Sequence, residues 1–107
     1  ASGQFKPSLS IGPINLDMRG KRVAVDGEAI ELTAYEFNLL EYLMQRPGEV
    51  VSKTELTEYL YEQDFDRDSN VIEVFVGRLR KKLDPKNSLK PISTVRGQGY
   101  RLALSTR

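Results

Sequence analysis

Residues 68–83 read DSNVIEVFVGRLRKKL, and the spacing within this stretch decides how the rest of the chain must be arranged. At about 100° per residue, Ile72, Val76, Leu79 and Leu83 fall on one side of a helix as an apolar stripe. Asn70, Val74, Gly77, Arg78 and Lys81 fall on the opposite side. A surface helix ordinarily keeps only solvated charges opposite its core stripe. Val74 and Gly77 in that place therefore read as room left for a partner. The helix is expected to start at Asp68 or Ser69 and to stop near Asp84-Pro85, where proline ends the pattern.

Upstream, two further helices announce themselves by the same device. Thr33 and Glu36 form a T-x-x-E capping box, followed by Phe37, Leu40, Leu43 and Met44 as a buried stripe and by Arg46-Pro47-Gly48 as a stop. Ser52 and Glu55 repeat the box after the apolar pair Val50-Val51, and a short helix runs to about Tyr61 with Leu56 and Leu60 inward. Earlier still, Leu9–Ile11, Ile14–Asp17, Arg22–Val25 and Ala29–Leu32 are short strands parted by Gly12-Pro13, Arg19-Gly20-Lys21 and Asp26-Gly27. Asp-Gly between such runs is a strong hairpin signal, so a small antiparallel meander is expected, with Val23, Val25, Ile30 and Leu32 facing the helices. Downstream, Ile92–Val95 and Tyr100–Leu104 flank Arg96-Gly97-Gln98-Gly99 and make a hairpin with a positively charged, glycine-rich tip. The fold class is α+β without a parallel sheet. Four antiparallel strands, three helices and a terminal hairpin amount to a winged helix-turn-helix over residues 9–107, with residues 1–8 a linker or cloning remnant.

With 107 residues the chain can bury one core, not two. It holds no cysteine and no histidine, which removes disulfides, the commonest general base and the commonest metal ligand. No long apolar run or signal segment is present in it, so a cytoplasmic protein without a membrane contact is expected. The net charge of +1 conceals a division: from Arg78 onward nine Lys/Arg face one acid, Asp84, giving +8, and residues 1–77 carry −7. A basic C-terminal third suits a polyanion partner.

A helix of this kind fits a DNA major groove, where Arg78 can pair bidentately with guanine and Val74 can touch a thymine methyl. Arg80, Lys81 and Lys82 would meet phosphates. Arg96 at the hairpin tip would enter a minor groove, drawn by its negative potential. The plainer alternatives are last-turn cations that offset the helix dipole and a solvated hairpin arginine. The chain order of amphipathic helix and arginine-tipped hairpin favours the DNA reading. Gly97-Gln98-Gly99 lacks the strand-before, helix-after setting of a phosphate-cradling loop. The carboxylates of residues 61–68 lack calcium-loop spacing. Neither a catalytic constellation nor a cofactor is expected.

These motifs, in this order, resemble the C-terminal effector domain of OmpR/PhoB-type response regulators, most closely the PhoP branch. The resemblance rests on Leu32–Leu40, on Val50-Val51-Ser52-Lys53, on Asn70–Leu83 and on Thr94–Arg101, and it covers nearly everything from Leu9 to Leu104. It implies a bacterial transcription factor with no enzymatic activity, whose receiver domain would be phosphorylated by a sensor kinase. It implies double-stranded DNA with direct-repeat half-sites, a head-to-tail homodimer on that DNA, and RNA polymerase as partners. Carried over by position, Arg78, Val74 and Glu73 match base-contacting residues, Glu73 as an acceptor from a cytosine amino group. Asn70, Arg80, Ser52, Lys53, Tyr61 and Thr94 match backbone-contacting residues, Arg96 the wing arginine, and Glu62, Gln63, Asp64, Phe65 and Asp66 the polymerase-contact loop. Some members carry arginine where Asn70 and Gly77 stand, which implies a different phosphate grip here. Two other readings are a similar domain in a membrane-anchored activator and a winged fold used for protein contact.

Overall fold

The computed structural model of the chain describes residues 8–61 and 71–104. It opens with an antiparallel meander of β1 (Ser8–Ile11), β2 (Ile14–Asp17), β3 (Arg22–Val25) and β4 (Glu28–Ile30), adjacent in chain order. Ser8 already pairs with Asp17, so the first strand begins one residue before its expected start. At the β3–β4 turn Asp26 (φ 54°) and Gly27 (φ 82°) both lie in the left-handed region, as a two-residue hairpin turn demands. The register then places Ile11, Ile14, Leu16 and Val23 in the core, with Val25, Ile30 and Leu32 half-buried around them. The inward face is the one the alternation marks.

Helix α1 (Ala34–Met44) starts with both halves of its capping box made. Thr33 Oγ1 accepts from the Glu36 N–H at 3.2 Å, and the Glu36 carboxylate accepts from the Thr33 N–H at 3.0 Å. Phe37, Leu40, Leu43 and Met44 are buried as their spacing demands, and so is Leu39. For α2 (Lys53–Tyr61), Ser52 Oγ accepts from the Glu55 N–H at 3.0 Å, and Leu56 and Leu60 are wholly buried. An aromatic stack joins α1 to α2. Tyr42 packs on Tyr59 at 4.4 Å, Arg46 lies over the Tyr42 ring, and the Tyr42 hydroxyl donates to Glu55. That hydrogen bond to a carboxylate holds the Tyr42 phenol above its ordinary pKa.

The last three strands differ from expectation. Instead of a free two-stranded ribbon there is a three-stranded sheet, ordered β5 (Val50–Val51), β7 (Gly99–Leu102) and β6 (Ile92–Val95). A two-residue strand has no period to read, so Val50-Val51 declares itself only by pairing with Arg101 and Tyr100. The glycines of the hairpin also divide in role. Gly99 is buried at φ +148°, and a Cβ there would stand 2.0 Å from the Val51 carbonyl oxygen and 2.7 Å from Ser52 Cα. Gly97 (φ +71°) has open space around it. Close approach of two backbones, not flexibility, fixes Gly99.

Glu36 does more than complete the cap, for it is fully buried, the one charged residue among the buried side chains described. Lys82, on the last turn of α3 (Val71–Leu83), reaches it with Nζ 2.7 Å from Oε1. Burial pushes the Glu36 carboxyl upward, but the Lys82 hydrogen bond and charge and the Thr33 N–H outweigh it and hold the group below the usual carboxylate range.

Two predictions follow from this packing. Gly99→Ala should lower stability by about 2–4 kcal/mol, from overpacking and backbone strain, against about 1 kcal/mol for Gly97→Ala, where only the positive φ is penalised. Urea unfolding of the two variants measures the difference. Because the folded Glu36 carboxyl is depressed, its stabilisation is fully present above the unfolded value of about 4.3 and is lost as pH falls through the folded one. Lys82→Met should cost about 1–3 kcal/mol at neutral pH. With burial then unopposed by the cation, acid unfolding should begin at a higher pH, which thermal melts across a pH series would detect.

Candidate nucleic-acid interface

In α3 the buried stripe comprises Ile72, Val76, Leu79 and Leu83, joined by Phe75, which packs its ring 5.7 Å from that of Tyr35 on α1. Helical geometry then leaves Glu73, Val74, Arg78 and Lys81 exposed on the outer side. Val74 is 48% exposed, one of two large apolar residues that stand out from the described surface, the other being Val50. Nothing lies within 4 Å of the place a Gly77 Cβ would take, so the outer face carries an open notch between Val74 and Arg78. The helix stops where Asp84 accepts from the backbone N–H groups of Ser88, Leu89 and Lys90 at 2.8–3.0 Å. Partial desolvation raises the Asp84 carboxyl, but these N–H donors outweigh it and hold its pKa down.

The hairpin is locked to this helix by Arg80. Its Nε donates to the Ile92 carbonyl at 3.2 Å, its NH2 group donates to Thr94 Oγ1 at 2.5 Å, and its guanidinium lies 5.9 Å from the Tyr100 ring centre. The guanidinium and the Thr94 hydroxyl, both expected to meet phosphates, are thus already joined to each other. Lys82 is turned to Glu36, whereas Lys81 remains exposed. Arg96 and Gln98 are exposed at the tip, whose turn closes with the Gln98 N–H on the Val95 carbonyl at 2.9 Å.

Ser52 and Lys53 at the start of α2 stand against the first turn of α3. Lys53 Nζ lies 2.5 Å from Glu73 Oε2, both side chains about half exposed. The hydrogen bond to Glu73 and its charge raise the Lys53 ammonium above its usual pKa. Together Ser52, Lys53, Glu73, Thr94, Arg96 and Gln98 border a cleft of about 430 Å³ between α2, α3 and the hairpin. Asn70 and the loop Glu62, Gln63, Asp64, Phe65 and Asp66 lie outside the described residues, and Tyr61 is described only as the last residue of α2. The cross-links made by Arg80, by Lys82 with Glu36 and by Lys53 with Glu73 escape sequence reasoning. Each spans 12 to 46 residues and has no local signature. Among the described residues no group of His, Cys, Asp or Glu is placed to hold a metal ion.

This arrangement has known counterparts. Residues 27–102 match the profile of the family described as "Transcriptional regulatory protein, C terminal". Over 100 residues the chain is 50% identical to the two-component response regulator PhoP of Pseudomonas aeruginosa, covering 94% of this chain and 44% of that protein. It is 39% identical over 99 residues to the transcriptional regulatory protein PhoP of Escherichia coli K12, covering 92% and 44%. The chain thus spans less than half the length of these relatives. Among solved structures, the DNA-binding domain of CpxR from E. coli superposes with a TM-score of 0.78 at 30% identity, covering 95% of this chain and all of that one. The DNA-binding domain of RstA from Klebsiella pneumoniae, solved in complex with the RstA box, gives 0.77 at 30% identity, covering 92% and 98%. A matched profile that takes in all three helices and the hairpin settles the assignment: the chain belongs to the family of C-terminal domains of transcriptional regulatory proteins, of the OmpR/PhoB type, and within it resembles the PhoP regulators.

Proposed function

We propose that this domain binds double-stranded DNA sequence-specifically, with α3 in the major groove and the arginine-tipped hairpin in the neighbouring minor groove. The observation that carries the reading is the outer face of α3, where Val74 stands exposed beside an open notch at Gly77 and the exposed cations Arg78 and Lys81. An apolar residue set among cations, with backbone accessible next to it, suits base edges and phosphates together. Arg78 reads a guanine, Val74 packs on a thymine methyl, and the bare backbone at Gly77 allows close approach. Ser52, Lys53, Lys81 and Thr94 position the duplex backbone, joined by Asn70 and Tyr61. Arg80 acts from behind, holding the hairpin at a fixed angle to the helix, and Lys82 serves the fold through Glu36. Relatives bearing the names of two-component regulators, and a neighbour solved with its DNA box, support this reading over a membrane-anchored activator or a protein-contact module.

By the same likeness the parent protein is a cytoplasmic, non-enzymatic response regulator. A receiver domain takes a phosphoryl group from a sensor kinase, two copies sit head to tail on direct repeats, and residues 62–66 touch RNA polymerase. No helix among the described residues is long and apolar enough to cross a membrane.

Two substitutions test the DNA reading on a site selected from a random duplex pool. Arg78→Ala should cost about 1–3 kcal/mol on the selected site and relax preference at one base pair. An equal loss on selected and scrambled DNA would remove Arg78 from base reading. Arg96→Ala should weaken binding and reduce the slope of log affinity against log salt by about 0.9, the value for one lost phosphate neutralisation. An unchanged slope would take the hairpin tip off the DNA.

A further inference from the structure

The ion pair of Lys53 and Glu73 stands on the proposed DNA face, where a carboxylate is out of place. It joins the first residue of α2 to the first turn of α3 with Nζ and Oε2 2.5 Å apart. Both side chains are about half exposed, at 55% and 51%, and pairs this open add little to stability. The cleft beneath them is bordered by Arg96 and by hydroxyl, amide and backbone groups, and Glu73 is the one carboxylate in its lining. A negative charge in a cleft that must pass phosphates opposes binding at every sequence unless something compensates it. Two compensators exist. One is Lys53, from within the protein. The other is an exocyclic amino group presented in the major groove, such as the cytosine N4 donor that a carboxylate accepts from. Lysine carries a single charge, so while it faces Glu73 it does not fully neutralise a phosphate.

We propose that the Lys53–Glu73 pair is a sequence discriminator: it stays closed on non-cognate DNA, withholding one phosphate contact, and opens on the cognate site, where Glu73 takes a base amino group and Lys53 moves to the backbone. The inference rests on the DNA-binding reading above. It assigns Glu73 a role against wrong sequences as well as for the right one, a recognised route to specificity. The raised ammonium pKa of Lys53 accords with a pair that is closed in the free domain. Opening requires no backbone motion, because both partners are exposed ends of flexible or semi-flexible side chains.

The test is the salt dependence of binding for the wild type, Glu73→Gln and Lys53→Met, each on a duplex carrying the selected site and on a scrambled duplex of the same composition. Glu73→Gln frees Lys53. On scrambled DNA it should raise affinity severalfold and steepen the salt slope by about 0.9, while on the selected site affinity falls and the ratio between the two duplexes shrinks. Lys53→Met should flatten the slope by about 0.9 on the selected site and leave it unchanged on scrambled DNA. A lysine that only meets phosphates would flatten both slopes equally, and that result overturns the proposal. So does a Glu73→Gln protein whose slope on scrambled DNA matches the wild type. Thermal midpoints of both variants should equal that of the wild type, since the pair lies on the surface. A wild-type domain that fails to discriminate the two duplexes would sink the DNA reading itself, whereas discrimination with symmetric Lys53→Met effects would sink only the discriminator.

Discussion

The domain depends on α3 burying one side completely while leaving the other bare. Ile72, Val76, Leu79 and Leu83 are at most 5% exposed, and together with Phe75 they seat the helix against α1. Hydrophobic contact alone is non-directional and tolerates sliding and rolling. The buried Glu36, fixed by the α1 cap at one end and by Lys82 at the other, supplies a directional constraint at the last turn of α3. A pair with one end buried in this way leaves few alternative alignments, because any shift strands the Glu36 charge in the core. The roll of the helix about its axis follows, and with it the direction in which Val74, Gly77 and Arg78 point.

The second sheet extends the same logic to the hairpin. On one side β7 is pressed onto β5 so closely that only glycine fits at position 99. On the other, Arg80 ties β6 to the helix through a carbonyl and a hydroxyl. The hairpin is thereby held from two elements that precede it in the chain, and the angle between helix and tip is set by the fold before any DNA is present. Preorganisation of this sort lowers the ordering cost that binding must overcome.

Much of this was legible in the residues. The Thr33–Glu36 capping box, the Ser52 cap of α2, the Asp26-Gly27 turn and the 3–4 spacing of α3 each state a local rule that tertiary structure did not override, whereas the Glu55 half of the second box is seen bonded to Tyr42 instead. The exposed face of α3 was legible for the same reason, since a helix with one apolar stripe has only one other side. What could not be read were features created by chain crossing. Val50-Val51 is too short to show alternation. Glu36 reads as a cap, which it is, but its burial and its bond to Lys82, 46 residues away, have no local sign. Likewise Arg80, Lys81 and Lys82 read alike as cations for phosphates, and nothing local says which of them the fold itself has engaged.

Gly99 has a bearing on how such a domain can vary. The residue that anchors the hairpin and the residues that project from it are neighbours in sequence but independent in physics. Position 99 is pinned by backbone contact, whereas Arg96, Gly97 and Gln98 are solvent-exposed. Changes at the tip can therefore alter what the hairpin touches without disturbing the sheet that carries it. The exposed surface at this end of the molecule can drift while the scaffold stays put, the two being partitioned across a single peptide bond.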